Sequence, residues 1–151
     1  MRRALALLPL LVVLAACSSP TTSDDDVTAL AVGDCFDLVE TAEVTSVPTI
    51  DCAEEHDLEV YAIVTMDGDD FPGADAVLTE TADRCGDEFE GFLGIAYTAA
   101  LARGEYDFTS LYPTEESWKL GDREIVCAIA ATTPDGLVSR VTGSLKGAET
   151  P

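Results

Sequence analysis

Glu54-Glu55-His56-Asp57 comes nearest to a reactive constellation, because it sets the sole histidine of the chain among three acids. An imidazole beside carboxylates can act as a general base or ligate a metal. One histidine without a second nitrogen donor makes a poor transition-metal site, however, and adjacent residues on a turn point apart. The expectation is a turn in which His56 hydrogen-bonds to backbone, with His56 and Asp57 kept as binding candidates. Asp67, Asp69 and Asp70 have the density of a calcium loop. The EF-hand pattern would then need an acid or amide at 71 and glycine at 72, where the chain has Phe71 and Pro72. There is no Gly-x-Ser-x-Gly, no phosphate-cradling glycine loop and no zinc-protease motif. The residues therefore predict a protein that is not an enzyme, with no catalytic set, no metal site and no cofactor.

A second group of candidates is aromatic. Tyr106, Phe108, Tyr112 and Trp118 fall close together and could line a binding groove. Beside a strand and a proline turn, such residues are expected to pack the edge of a core instead. Tyr112 and Trp118 are retained as binding candidates.

Five cysteines complete the inventory. Cys17 follows an apolar leader, which leaves Cys35, Cys52, Cys85 and Cys127 as an even set. In an oxidising compartment an even set reads as two disulfides, and counting alone leaves three connectivities open. The favoured one is Cys35–Cys52, plausible between neighbouring strands, with Cys85–Cys127 tying a helix to a late strand. Chain-entropy arguments give these bridges about 3 and about 4 kcal/mol. Zinc would compete for the same thiols, but no Cys-x-x-Cys pair occurs.

The leader fixes an expected address. Arg2 and Arg3 precede an apolar run, residues 4–14, too short to span a bilayer permanently. It ends in Leu14-Ala15-Ala16-Cys17, which resembles the bacterial lipobox. That resemblance implies cleavage between Ala16 and Cys17, with acyl chains carried on Cys17. A formal charge of −21 argues against nucleic-acid partners and against adhesion to anionic lipid. Membrane attachment would then rest on the acyl chains, and more than one chain is needed for stable anchoring. The expected location is the extracytoplasmic face of the cell membrane.

The elements that must position these residues follow from periodicity. Residues 17–29, rich in serine, threonine and aspartate, are expected to form a flexible tether after the signal peptide, 1–16. A folded domain is expected over 30–147, with a short tail at 148–151. Residues 34–39 and 44–51 read as short strands, and 58–65 as a longer one with Leu58, Val60, Ala62 and Val64 on one face and Glu59, Tyr61 and Ile63 on the other. From Ala74 to Leu93 the period becomes helical, with Ala74, Val77, Leu78, Ala82, Cys85, Phe89, Phe92 and Leu93 in one stripe before Gly94. A second, shorter helix is expected over 95–103, and an extended stretch over 108–112. Thr114 is placed to cap a helical turn, and strands are expected over 123–131 and 141–145. Together these predict an α+β fold: a small antiparallel sheet with one main amphipathic helix and a short second helix packed on one face.

Ordered motifs run through this framework: Gly33-Asp34-Cys35-Phe36; Asp51-Cys52 followed by His56-Asp57-x-Glu59-Val60-Tyr61; Phe71-Pro72-Gly73; Tyr112-Pro113-Thr114-Glu115-Glu116-Ser117-Trp118; Gly121-Asp122-Arg123-x-x-x-Cys127; and Thr142-Gly143-Ser144-Leu145-Lys146-Gly147. Their order and spacing resemble the septum formation domain family of high-GC Gram-positive bacteria. The resemblance implies an extracytoplasmic domain, anchored by a transmembrane helix or by lipid, with a link to septum formation. It brings no reaction, cofactor or catalytic set. The expected role is a non-catalytic binding or interaction module with an envelope or septal protein as partner. The alternative is an envelope-acting enzyme or metal-dependent site centred on His56 and the neighbouring acids.

Overall fold

The central strand pair, β4 (Leu58–Thr65) and β6 (Glu124–Thr132), organises the rest of the molecule. They run antiparallel, and each is apolar on both faces because the sheet is covered on both sides. The computed structural model describes residues 23–26, 29–39, 44 and 46–149. Cys17, the leader and most of the expected tether lie outside the described residues. The remaining elements are β1 (Ser23–Asp26), β2 (Cys35–Phe36), β3 (Ser46–Ile50), α1 (Ala74–Leu93), α2 (Tyr97–Arg103), β5 (Tyr106–Leu111), α3 (Glu115–Lys119) and β7 (Val138–Ser139). The sheet order is β1-β3-β2-β4-β6-β5, every pairing is antiparallel, and β7 pairs with the end of β6.

The sheet is curled, with the helices on one side. Tyr61, Val77, Cys85, Phe89, Leu93, Ile125, Cys127 and Ile129 form the core between sheet and helices. The opposite face gathers Leu30, Phe36, Val47, Val60 and Val126 into a second cluster. The expected α+β architecture, its main helix and both disulfides are present, with Cα–Cα distances of 5.3 Å for Cys35–Cys52 and 5.6 Å for Cys85–Cys127.

Helix α1 begins and ends where its periodicity does. It stops at Gly94, which takes a φ of 102° that a side chain would resist and donates its N–H to the Glu90 carbonyl. Its buried stripe is narrower than predicted: Leu78, Ala74 and Ala82 are exposed, while Thr81 is buried. The bridge from Cys85 to Cys127 sets the helix rotation and brings Thr81, four residues earlier, under the same contact. Helix α3 starts on Thr114, whose hydroxyl accepts from the Ser117 N–H while the Ser117 hydroxyl accepts from the Thr114 N–H.

Three further expectations change. The predicted alternation along β4 fails at a bulge, where the register moves from Val60↔Ala128 to Ala62↔Cys127 and leaves Tyr61 unpaired. Tyr61, Ala62 and Val64 therefore join the helical core, and Leu58, Val60 and Ile63 the other cluster. The last strand is Val138–Ser139 rather than 141–145; Val141 makes only a single bridge to His56. Gly143, at φ 84°, turns the chain out of an extended path directly afterwards. Ser23–Asp26, expected within the tether, pairs in backbone register with β3. A ladder needs only backbone partners, so an apolar-free stretch can still extend a sheet edge.

At the opposite edge, β5 is guarded by its own aspartate. The Asp107 carboxylate accepts from the Phe108 N–H at 2.8 Å and from the Tyr97 hydroxyl at 3.0 Å. This places a charge and a closed hydrogen bond in the middle of the exposed edge, where another strand would otherwise dock.

Candidate functional site

The turn after β3 is built by Asp51. Its carboxylate accepts from the Ala53 N–H at 2.9 Å and its carbonyl accepts from the Glu54 N–H at 2.7 Å, so the turn closes on itself. Cys52 within it is tied to Cys35 of β2, which fixes the turn against the sheet. His56 then enters the fold between β4 and the segment after β7. Its N–H and C=O both pair with Val141 at 3.0 Å, its ring is fully buried, and Nδ1 lies 2.9 Å from the Glu54 carbonyl. The expected turn with His56 hydrogen-bonded to backbone is what the chain forms. Among the described residues Nε2 has no hydrogen-bond partner.

Asp57 faces the other way. One oxygen accepts from the Leu38 N–H at 3.0 Å and the other lies 3.4 Å from Arg140, which also pairs with Asp37 at 3.0 Å and donates to the Glu55 carbonyl. Arg140 thus ties the acid-bearing segments at Asp37 and at Glu55–Asp57 to its own strand end.

Behind His56 lies Glu59, only 2% exposed. Its two oxygens accept from the Ser144 hydroxyl at 2.6 Å and the Leu145 N–H at 2.7 Å. A Glu59 oxygen and the sulfurs of Cys35 and Cys52 lie within 4.8 Å of one another. Three such donors could in principle hold a cation, but here the two sulfurs are spent on each other.

The aromatic candidates sit elsewhere. Trp118 is 3% exposed, with Phe71 edge-on at 5.7 Å and its indole N–H donating to the Asp69 carbonyl at 3.0 Å. The Arg123 guanidinium stacks 3.7 Å above the indole centroid and donates to the Gly68, Asp69 and Trp118 carbonyls. Two carbonyls of the 67–70 loop are thereby committed to Arg123. Tyr106, Phe108 and Trp118 pack in or against the helical core, whereas Tyr112 is 44% exposed and Leu120, just past α3, is 89% exposed. His56 precedes β4 while Arg123 meets the backbone just beyond its far end, through the Met66 N–H. An eight-residue strand separates them by about 25 Å, so the histidine and tryptophan groups do not form one site.

Sequence reasoning did not identify Glu59, Ser144, Arg140 or Arg123 as functional or organising groups. A charged residue inside an apolar strand was the available signal for Glu59.

The matching region brackets this architecture. The family model described as septum formation matches residues 32–150, which takes in both disulfides, the His56 turn, Glu59 and Ser144. The chain belongs to the septum formation family. Relatives with curated descriptions include an uncharacterised membrane protein found in two strains of Mycobacterium tuberculosis, CDC 1551 / Oshkosh and H37Rv. Each is 30% identical over 125 residues, covering 77% of this chain. The match spans only 26% of each relative's own length. No solved structure matches. Among the described residues, no helix of this septum formation domain is long and apolar enough to cross a membrane.

Proposed function

We propose that the protein is a lipid-anchored, extracytoplasmic module of the cell envelope that acts as a non-catalytic binding partner in septum formation or wall biology. The observation that carries the non-catalytic part is the fate of His56. Its ring is fully buried and Nδ1 is turned to the Glu54 carbonyl. General acid–base work by His56 needs the ring within reach of substrate, and this ring serves the fold. Family membership and the membrane-protein relatives support an envelope setting. Lipid attachment rests on the Leu14-Ala15-Ala16-Cys17 stretch and on an acidic surface that would not adhere to anionic bilayers by itself. The partner is an envelope or septal protein, with exposed Tyr112 the candidate contact at the α3 end of the sheet.

One observation favours a second reading. The buried Nε2 of His56 has no hydrogen-bond partner among the described residues, which an enzyme or metal site centred on His56 and the neighbouring acids would explain.

Cys17→Ala tests the anchor: the protein should leave the membrane fraction or keep its leader, and unchanged retention refutes lipidation. A paired comparison tests the module. Tyr112→Ala should abolish labelling of neighbouring envelope proteins while a folded His56→Ala retains it. The reverse result establishes the enzyme or metal reading.

A further inference from the structure

The two disulfides occupy different surroundings. Cys85 and Cys127 are both fully buried, between α1 and β6. Cys35 is also buried, but Cys52 lies half-exposed on the turn after β3. Glu59 is the cross-strand partner of Cys35, so the two side chains leave the sheet on the same face. Its carboxylate, within 4.8 Å of both sulfurs, is held only by neutral donors, and no cation pairs with it among the described residues. Burying an acid without a counter-ion is costly. A neutral side chain could hold the 144–145 segment without that cost. What the acid adds is the capacity to exchange a proton with a thiol.

We infer that Cys35–Cys52 is a thiol–disulfide exchange centre, in which Cys52 meets an incoming dithiol and Glu59 carries the proton of Cys35. In the reducing direction a thiolate of the dithiol attacks Cys52 Sγ, the accessible sulfur. The new S–S bond forms as the Cys35–Cys52 bond breaks, and the electron pair leaves on Cys35 Sγ. The Glu59 carboxyl delivers its proton to that sulfur, which is walled off from water. The second thiolate of the reagent then attacks the mixed disulfide, closes the reagent's own disulfide and releases Cys52 as a thiolate, protonated from solvent. Two electrons pass from the dithiol to the protein. In the oxidising direction the Glu59 carboxylate removes the Cys35 proton, so that the Cys35 thiolate can displace the reagent from Cys52. The Cys85–Cys127 bridge, with neither an accessible sulfur nor an adjacent carboxylate in the metal-like cluster, stays closed.

The test is the reduction of the folded full-length protein by dithiothreitol, with each bridge followed by alkylation and peptide mass spectrometry. Cys35–Cys52 should open about a hundredfold or more faster than Cys85–Cys127. Glu59→Gln should slow that opening about tenfold or more and lose the solvent deuterium isotope effect of the proton transfer. Equal opening rates for the two bridges overturn the inference, as does an unchanged rate in a natively folded Glu59→Gln protein. Should that variant fail to fold, Glu59→Asp draws the carboxyl back from the sulfurs and should slow the opening in the same way, and an unchanged rate overturns the inference.

Discussion

The Glu59 carboxylate accepts a 2.6 Å hydrogen bond from the Ser144 hydroxyl across 85 positions of sequence. With the neighbouring bond from the Leu145 N–H and the Gly143 N–H donating to the Cys52 carbonyl, it seats the segment after β7 on the β2–β4 surface. Hydrogen bonds to a charged acceptor are worth about 1.5–3 kcal/mol. Ser144→Ala should therefore lower the denaturation midpoint by an equivalent of about 1.5 kcal/mol or more, with an unchanged denaturant slope. A loss below a few tenths would mean that the segment is held by Leu145 and Gly143 alone.

Arg123 is predicted to govern the 67–70 loop. Arg123→Ala removes the stack on Trp118 and the bonds to the Gly68 and Asp69 carbonyls. Stability should fall by about 1–2 kcal/mol, and the emission of Trp118, the only tryptophan, should shift to the red as water reaches the indole. Arg123→Lys should recover little, because an ammonium cannot both stack and fork to two carbonyls.

Thr81 offers a change of the opposite sign. It is buried at the α1–sheet contact, and its hydroxyl oxygen has no hydrogen-bond partner among the described residues. Thr81→Val keeps the shape and removes the unsatisfied group, so thermal stability should rise, by about 1 kcal/mol. A destabilised variant would show that the hydroxyl is bonded after all.

Alkaline pH should unfold the protein through its tyrosines. Burial pushes the Tyr61 phenol far above its usual range, with the charges of Tyr97, Glu88 and Asp107 adding to the effect. Tyr97 and Tyr106 are raised as well, first by burial and then by Asp107 and Glu149 respectively. These groups are raised in the folded state, so their contribution is complete below the unfolded value of 10.0 and is lost as pH climbs above it. Denaturant midpoints should hold below that pH and fall above it. Tyr61→Phe should lose about 1 kcal/mol at neutral pH, through the 2.7 Å bond to the Cys85 carbonyl, yet show a shallower alkaline decline.

The legible parts of the fold were those where one local pattern sufficed. Helix α1 spans the residues its periodicity and Gly94 define, and β4 spans the predicted 58–65. The bulge at Tyr61 left no mark in the sequence, since it depends on how β6 registers against β4. Leu78 and Thr81 likewise exchanged places because the Cys85–Cys127 bridge, rather than hydrophobicity, sets which side of α1 faces the sheet. At the candidate site, the backbone hydrogen bond of His56 could be anticipated from its turn. The partners of Glu59 could not be, because they arrive from 85 and 86 positions further along the chain.

That distance governs when the molecule can finish folding. Any chain threaded N-terminus first, from a ribosome or through a membrane pore, presents His56 and Glu59 long before Val141, Ser144 and Leu145 emerge. Until then β4 also lacks β6, and an acid destined for burial keeps its water. Loop closure over such separations is slow, so the early part of the chain stays unlocked during passage. Val141, Ser144 and Leu145 act as the latch, and a nascent chain stalled short of Ser144 remains open to retrieval or proteolysis.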